Sequence, residues 1–142
     1  MKPRRLDHIV LAVHDLTAAL DAWSRTFGLQ AERHTPDDAH MELGLLRFAG
    51  NDPAGAFLEL VAVTGEPALS GAERVARHLD QHGEGMFSIS LEVPDLDAAV
   101  AELTAAGLPV SGPDRGALPN TRVARIPRGS AHGTAIQLIQ RS

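Results

Sequence analysis

The chain has 142 residues, 44% hydrophobic and 22% charged, with a formal net charge of −5. That length suits one domain with a sizeable core, and the acidic balance excludes a nucleic-acid binder, which shows a basic patch or stripe. No apolar run approaches the ~20 residues that span a bilayer, and the absence of cysteine leaves only N and O ligands for any metal.

Residues 6–13 form a continuous apolar run, a buried strand candidate carrying His8. Asp15 then precedes Leu16, Leu20, Trp23 and Phe27, a single helical stripe with an acidic N-cap and Gly28 as its stop. Strands are expected at 29–35, 41–49 and 56–63, separated by turns at Pro36-Asp37-Asp38 and Gly50-Asn51-Asp52-Pro53. A linker helix follows, with Ser70 and Glu73 at capping-box spacing, an apolar stripe of Val75 and Leu79, and an end at Gly83. Then the pattern returns: a strand at 86–93, a helix from Asp95 to Gly107 carrying Leu96, Val100 and Leu103, and strands near 108–111, 121–126 and 133–140. Ser111–Asn120 holds Gly112, Pro113, Gly116 and Pro119 and is expected to be a loop, a candidate lid.

The second half is a copy of the first. Asp15-Leu16 and Asp95-Leu96 lie 80 positions apart, Gly28 and Gly107 79 apart, and Phe57–Val61 echoes Ala135–Ile139 at an offset of 78. Two copies of a β-α-β-β-β unit, 6–63 and 86–142, joined by a linker helix over 64–85, make a single domain of α+β class. The expected architecture is a curved mixed sheet around a cleft, with helices outside. Strand alternation separates aliphatic sets from mixed ones. Ile9, Leu11, Val13 and their equivalents Ile89, Leu91, Val93 should pack under the helices, as should Leu58, Leu60, Ile136 and Leu138. His8, Glu59, Ser88 and Gln137 then occupy equivalent positions on the other face, where Ser90 also lies. One such polar residue is ordinary on an open sheet face; four related by a repeat are a site hypothesis.

The duplicated unit, the Leu-Asp-His-Ile opening, the Asp-Leu helix start and the Gly85-Met86-Phe87-Ser88-Ile89 entry resemble the vicinal oxygen chelate superfamily (glyoxalases, bleomycin-resistance proteins and extradiol dioxygenases). The stretch from His78 to Val93 is most similar to the methylmalonyl-CoA epimerase branch. The resemblance implies a divalent metal (Zn, Co, Ni or Mn) held by His8, Glu59 and Gln137, with Ser88 standing where a ligating histidine is usual. A neutral hydroxyl is a poor ligand and an amide is weaker than a carboxylate, so the metal is expected to be weakly held or absent. Glu59 is the one carboxylate of the four positions and the candidate catalytic group, while Ser88, Ser90, Phe87, Arg47 and Arg125 are candidates for contact with substrate. An arginine of this kind suits a carboxylate or coenzyme A ligand, though parity alone does not say which arginines face the cleft. His14, His34, His40, His78, His82 and His132 are expected at the surface.

Two function classes stay open. One is an epimerase, isomerase or lyase acting on a small oxygenated metabolite or acyl thioester. The other is a non-catalytic small-molecule binder of the bleomycin-resistance type. No membrane or nucleic-acid partner is expected, the location expected is cytoplasmic, and a homodimer is expected, with Val75 and Leu79 as a candidate contact.

Overall fold

The computed structural model describes residues 1–36, 40–49, 55–66 and 70–142, and of Ser70 only the backbone. The elements in chain order are β1 (Arg5–Ala12), α1 (Leu16–Phe27), β2 (Ala31–His34), β3 (Met41–Arg47), β4 (Phe57–Val63), α2 (Ser70–His82), β5 (Gly85–Glu92), α3 (Leu96–Ala105), β6 (Ser111–Arg115), β7 (Thr121–Ile126) and β8 (Ala135–Arg141). A single 3-10 turn, Arg128–Ser130, precedes β8. The class is α+β, with strands in mixed orientation. The two expected turns at 36–38 and 50–53 fall mostly outside the described residues, as does the side chain of the Ser70 cap.

Two compact units divide the chain: Met1–His8 with Ser88–Ser142, and Ile9–Phe87. In the second unit the hydrogen-bonded order is β2-β3-β4-β1; in the first it is β1-β5-β8-β7-β6. The repeat is visible at the level of single bonds. Val13 N–H donates to the Val61 carbonyl at 2.9 Å in one unit, and Val93 N–H donates to the Ile139 carbonyl at 2.9 Å in the other. Asp15 accepts from Ala18 N–H at 3.0 Å and Asp95 from Ala98 N–H at 3.0 Å. Each aspartate thereby satisfies a donor that the first helical turn leaves orphaned. Gly28 closes α1 at φ 70°, in the left-handed region where a Cβ is penalised.

The division of faces expected from alternation holds in both units. Leu46, Leu60 and Ala62 bury against Leu16 and Leu20 of α1, with Leu11 and Leu58 at the margin. Ala124 and Leu138 bury against Leu96 and Ala99 of α3, with Leu91 and Ile136 at the margin. Gly44 sits beneath α1, where an added Cβ would meet the Leu20 side chain at 2.7 Å, so the close approach of strand and helix rests on its missing side chain. Phe27, the last residue of the α1 stripe, is 64% exposed and packs on Trp23 at 5.2 Å between ring centroids.

Three expectations need correction. Ser111–Arg115 is a strand rather than part of a lid loop, pairing antiparallel with β7 through an irregular register between Ser111 and Asp114. Because β6 is an edge strand and the irregularity falls at Gly112-Pro113, the missing proline N–H breaks no inner ladder. His78 is buried, not superficial: its ring meets Phe87 edge-on at 5.3 Å and His82 at 5.1 Å. Val75 is 2% exposed within its own chain, which removes it from the expected dimer contact.

Removing buried aliphatic volume under α3 should cost more than removing its cap. Leu138→Ala is expected to lower unfolding free energy by about 2–5 kcal/mol, and Asp95→Ala by about 1 kcal/mol, both read from urea midpoints at constant slope.

Candidate functional site

β1 carries Asp7 and His8, both buried, at 0% and 1% exposure. An ionised carboxylate this deep needs compensation, and Asp7 has it from several sides. Arg141, at the end of β8, donates Nε to Oδ1 and Nη2 to Oδ2, each at 2.8 Å. Arg5 Nη2 adds a third contact to Oδ1 at 3.1 Å, and Arg5 Nε binds Glu92 on β5. Burial alone would raise the pKa of Asp7. The hydrogen bonds of Arg141 and His8 and the charge of Arg141 outweigh it and hold the carboxyl well below an ordinary 3.8.

The remaining contact orients the imidazole. His8 Nδ1 lies 2.7 Å from Asp7 Oδ2. A carboxylate only accepts, so Nδ1 carries the proton and Nε2 of the neutral ring is an acceptor. Ser90 Oγ stands 3.0 Å from Nε2 and donates to it. Gln137 Nε2 then donates to Ser90 Oγ at 3.1 Å. One directed chain of hydrogen bonds thus runs from Gln137 through Ser90 and His8 to Asp7.

The register explains how these side chains meet. Ser90 pairs with Gln137 across the parallel β5–β8 ladder, and Gln137 pairs with Arg125 across the antiparallel β8–β7 ladder. Directly paired residues share a face, so Arg125, Gln137 and Ser90 form a row across three strands, on the side away from α3. Arg125 is paired with Asp114 at 3.1 Å. Burial lowers its pKa and the Asp114 charge opposes that shift. Ser88, 5% exposed, lies two residues before Ser90 on the same face and pairs with Ala135.

Glu59, Arg47 and Phe87 belong to the other unit. There Glu59 is buried and pairs with Leu45, on the face turned away from α1. Arg47 shares that face by its pairing with Phe57, its guanidinium 4.8 Å from the Phe57 ring centre. Of the sequence candidates, the structure therefore gathers His8, Ser90, Gln137 and Arg125 in one unit with Ser88 beside them. Asp7 and Arg141 were not among those candidates. Their signal in the sequence was a charged residue beside His8 inside an otherwise apolar strand.

The donor set of this unit does not fit a tightly held divalent metal. It offers an imidazole, an amide and two hydroxyls, with Nε2 of His8 already bonded to Ser90 and the Asp7 oxygens taken by Arg141, Arg5 and His8. Among the described residues no group of three or more His, Cys, Asp or Glu side chains is arranged to hold a metal ion.

The Asp7 cluster gives a signed pH dependence. Its folded-state pKa is depressed, so its contribution to stability is full above 3.8 and is lost as the pH falls from there toward the lower folded value. Asp7→Asn should lower stability at pH 7 by about 3–5 kcal/mol and flatten the loss of stability below pH ~4. Urea unfolding across that range reads both effects.

Solved structures and sequence profiles agree on what the chain is similar to. A variant of the Streptomyces coelicolor methylmalonyl-CoA epimerase, in complex with 2-nitronate-propionyl-CoA, matches with a TM-score of 0.84 at 25% identity, covering 99% of this chain and 99% of that one. A methylmalonyl-CoA epimerase in complex with methylmalonyl-CoA and ammonium matches with a TM-score of 0.84 at 25% identity, covering 99% and 96%. The Mycobacterium tuberculosis methylmalonyl-CoA epimerase matches with a TM-score of 0.82 at 27% identity, covering 99% and 89%. No curated protein matches by sequence. The profile of the family described as Glyoxalase/Bleomycin resistance protein/Dioxygenase superfamily matches residues 7–124. The fold is the glyoxalase-like one of these neighbours, and the chain belongs to the Glyoxalase/Bleomycin resistance protein/Dioxygenase superfamily.

Proposed function

We propose that the chain is an epimerase- or isomerase-type enzyme that moves a proton at the carbon α to the carbonyl of a small acyl thioester or related oxygenated metabolite. One observation carries this reading: the Asp7 carboxylate fixes the tautomer of His8 and leaves Nε2 as a basic lone pair, bonded to the Ser90 hydroxyl. Such a dyad can accept a proton directly or through Ser90 and return it. The likeness to epimerases solved with acyl-CoA ligands supports the choice of substrate class. Glu59, a buried carboxylate of the other unit, is a further acid–base candidate of the proposal. Arg125 and Arg47 are the proposed partners of an anionic substrate group, with Ser88 and Phe87 among the contacts. A homodimer in the cytoplasm completes the reading, with Leu79 of α2 left as the candidate contact. Light scattering that shows a monomer at micromolar concentration would remove the dimer.

The reaction can be read without knowing the natural substrate. Acyl thioesters bearing an α-hydrogen, incubated with the protein in D2O, should take up deuterium at that carbon, as followed by mass spectrometry. His8→Ala should slow the uptake by about 10²–10⁴-fold, and Glu59→Gln should slow it comparably. Binding without exchange would instead identify the chain as a non-catalytic carrier of the bleomycin-resistance type.

Metal affinity is a second test. The parent should bind Zn²⁺ or Co²⁺ weakly. Ser88→His with Gln137→Glu restores an imidazole and a carboxylate at the positions the superfamily resemblance marks, and should raise affinity more than ~10-fold, about 1.4 kcal/mol. A calorimetric titration in which the double variant binds no better removes the assignment of these positions as ligands.

A further inference from the structure

The second unit holds a cleft of about 420 Å³, lined by Phe27 and Leu29 at and just past the end of α1, Glu32 on β2, and Leu45, Arg47 and Phe48 at and just past the end of β3. That volume lies within the range of small-molecule sites. Part of the lining follows from register. Glu32 pairs with Leu45 across the β2–β3 ladder, and Arg47 stands two residues beyond Leu45, so all three share the face turned away from α1. The rest is aromatic. Phe27 and Phe48 are the two exposed phenylalanines of the chain, 64% and 49% exposed, and both border this cleft.

The cation of the cleft is held in place but not used up. The Arg47 guanidinium lies 4.8 Å from the Phe57 ring centre, a contact that orients a cation without consuming its hydrogens. Among the described residues its ion-pair partner is Glu32, through Nε at 3.6 Å, longer than a hydrogen bond. The other Glu32 oxygen, Oε1, accepts from His34 Nε2 at 2.9 Å. Among the described residues the Nη side of the fork is therefore uncommitted, in the same cleft as two exposed rings. A guanidinium fork matches a carboxylate through two parallel bonds. Exposed aromatic area favours a flat apolar body beside it. The Phe27 ring is already steadied by Trp23, at 5.2 Å between centroids.

We propose that this cleft binds a small aromatic carboxylate, with the acid on the Arg47 fork and the ring system against Phe27 and Phe48. The inference rests on the reading of Arg47 as the partner of an anionic group, and it names the body attached to that group. The alternatives fit less well. A cationic ligand would meet the Arg47 charge, and Glu32 is already shared between His34 and Arg47. A purely apolar ligand would cover the guanidinium without giving it an acceptor, and a charge taken from water unpaired is costly. Glu32 opposes the arriving anion. Its removal therefore strengthens binding, whereas removal of a merely structural ion-pair partner would not.

The test titrates the full chain with 2-naphthoate and with its neutral isostere 2-naphthamide, followed by calorimetry and by NMR of the phenylalanine rings and arginine Nε–H groups. The expected result is a single naphthoate site whose occupation moves the resonances of Phe27, Phe48 and Arg47. Naphthoate should bind at least ~10-fold tighter than the amide, as a charge-assisted pair implies. Arg47→Gln should remove that preference. Phe48→Ala, at an exposed position, should weaken both probes by ~5-fold or more. Glu32→Gln should strengthen naphthoate by ~2–5-fold and leave the amide unchanged. Equal affinity of the parent for both probes, shifts confined to residues outside this cleft, or no binding at millimolar naphthoate overturns the inference, and none of these outcomes depends on a variant that folds. Deuterium uptake from acyl thioesters reads the epimerase proposal separately. Uptake without naphthoate binding removes this inference and leaves that proposal standing, and naphthoate binding without uptake does the reverse.

Discussion

The buried charge of Asp7 is the constraint on which the rest of the first unit depends. A carboxylate with no solvent exposure is tolerable only while its partners stay in place, and those partners come from both ends of the chain: His8 next to it, Arg5 on the same strand, and Arg141 at the end of β8. Loss of one partner from a buried pair costs more than the pair contributes against an apolar substitute. The cluster therefore reads better as a device for specificity of arrangement than as a source of stability. What it specifies is the orientation of one imidazole. The Asp7–His8 bond decides which ring nitrogen keeps its proton, and every functional reading of the site follows from that.

The fold was legible because two periodicities reinforced each other. Alternation along β1, β4, β5 and β8 separated leucines and isoleucines from histidine, serine and glutamine, and the helical stripes of α1 and α3 supplied the surfaces that the aliphatic sets must cover. The duplication then confirmed each assignment with a second copy. Local chemistry misled where an edge position relaxed the usual rule. Gly112-Pro113 reads as a turn, yet an edge strand with an irregular register accommodates both residues. His78 was misjudged because polarity predicts exposure only on average. A histidine on a helix can bury against aromatic neighbours, as His78 does against Phe87.

The site was legible to the level of the strand face and no further. The repeat makes Ser88 the counterpart of His8, which drew attention to Ser88, and the offset of 80 is correct as a statement of equivalence. Hydrogen-bond partnership depends instead on the register between β5 and β8, which places Ser90 opposite Gln137 and Ser88 opposite Ala135. Internal symmetry relates a strand to its copy, not to its neighbour. Asp7 was hidden for a similar reason. Its neighbour in sequence was visible, but its charge partner, Arg141, lies 134 positions away, and no local pattern joins them.

A lone pair has one principal partner at a time, and this sets metal and hydrogen-bond chemistry against each other at Nε2 of His8. An imidazole whose Nδ1–H is held by a carboxylate is the usual arrangement for a metal-ligating histidine, and the same arrangement serves a base acting on a hydroxyl. Which role prevails depends on the neighbours. Anionic or imidazole donors around Nε2 would favour a cation, since they offset its desolvation and share its charge. Here a hydroxyl donates into Nε2 and an amide donates into the hydroxyl. The hydroxyl thus presents its hydrogen, not a lone pair, to Nε2. The hydrogen bonds at this position thus suit a base oriented by Asp7 better than a cation ligand, on a scaffold whose superfamily resemblance implies a metal at the same histidine.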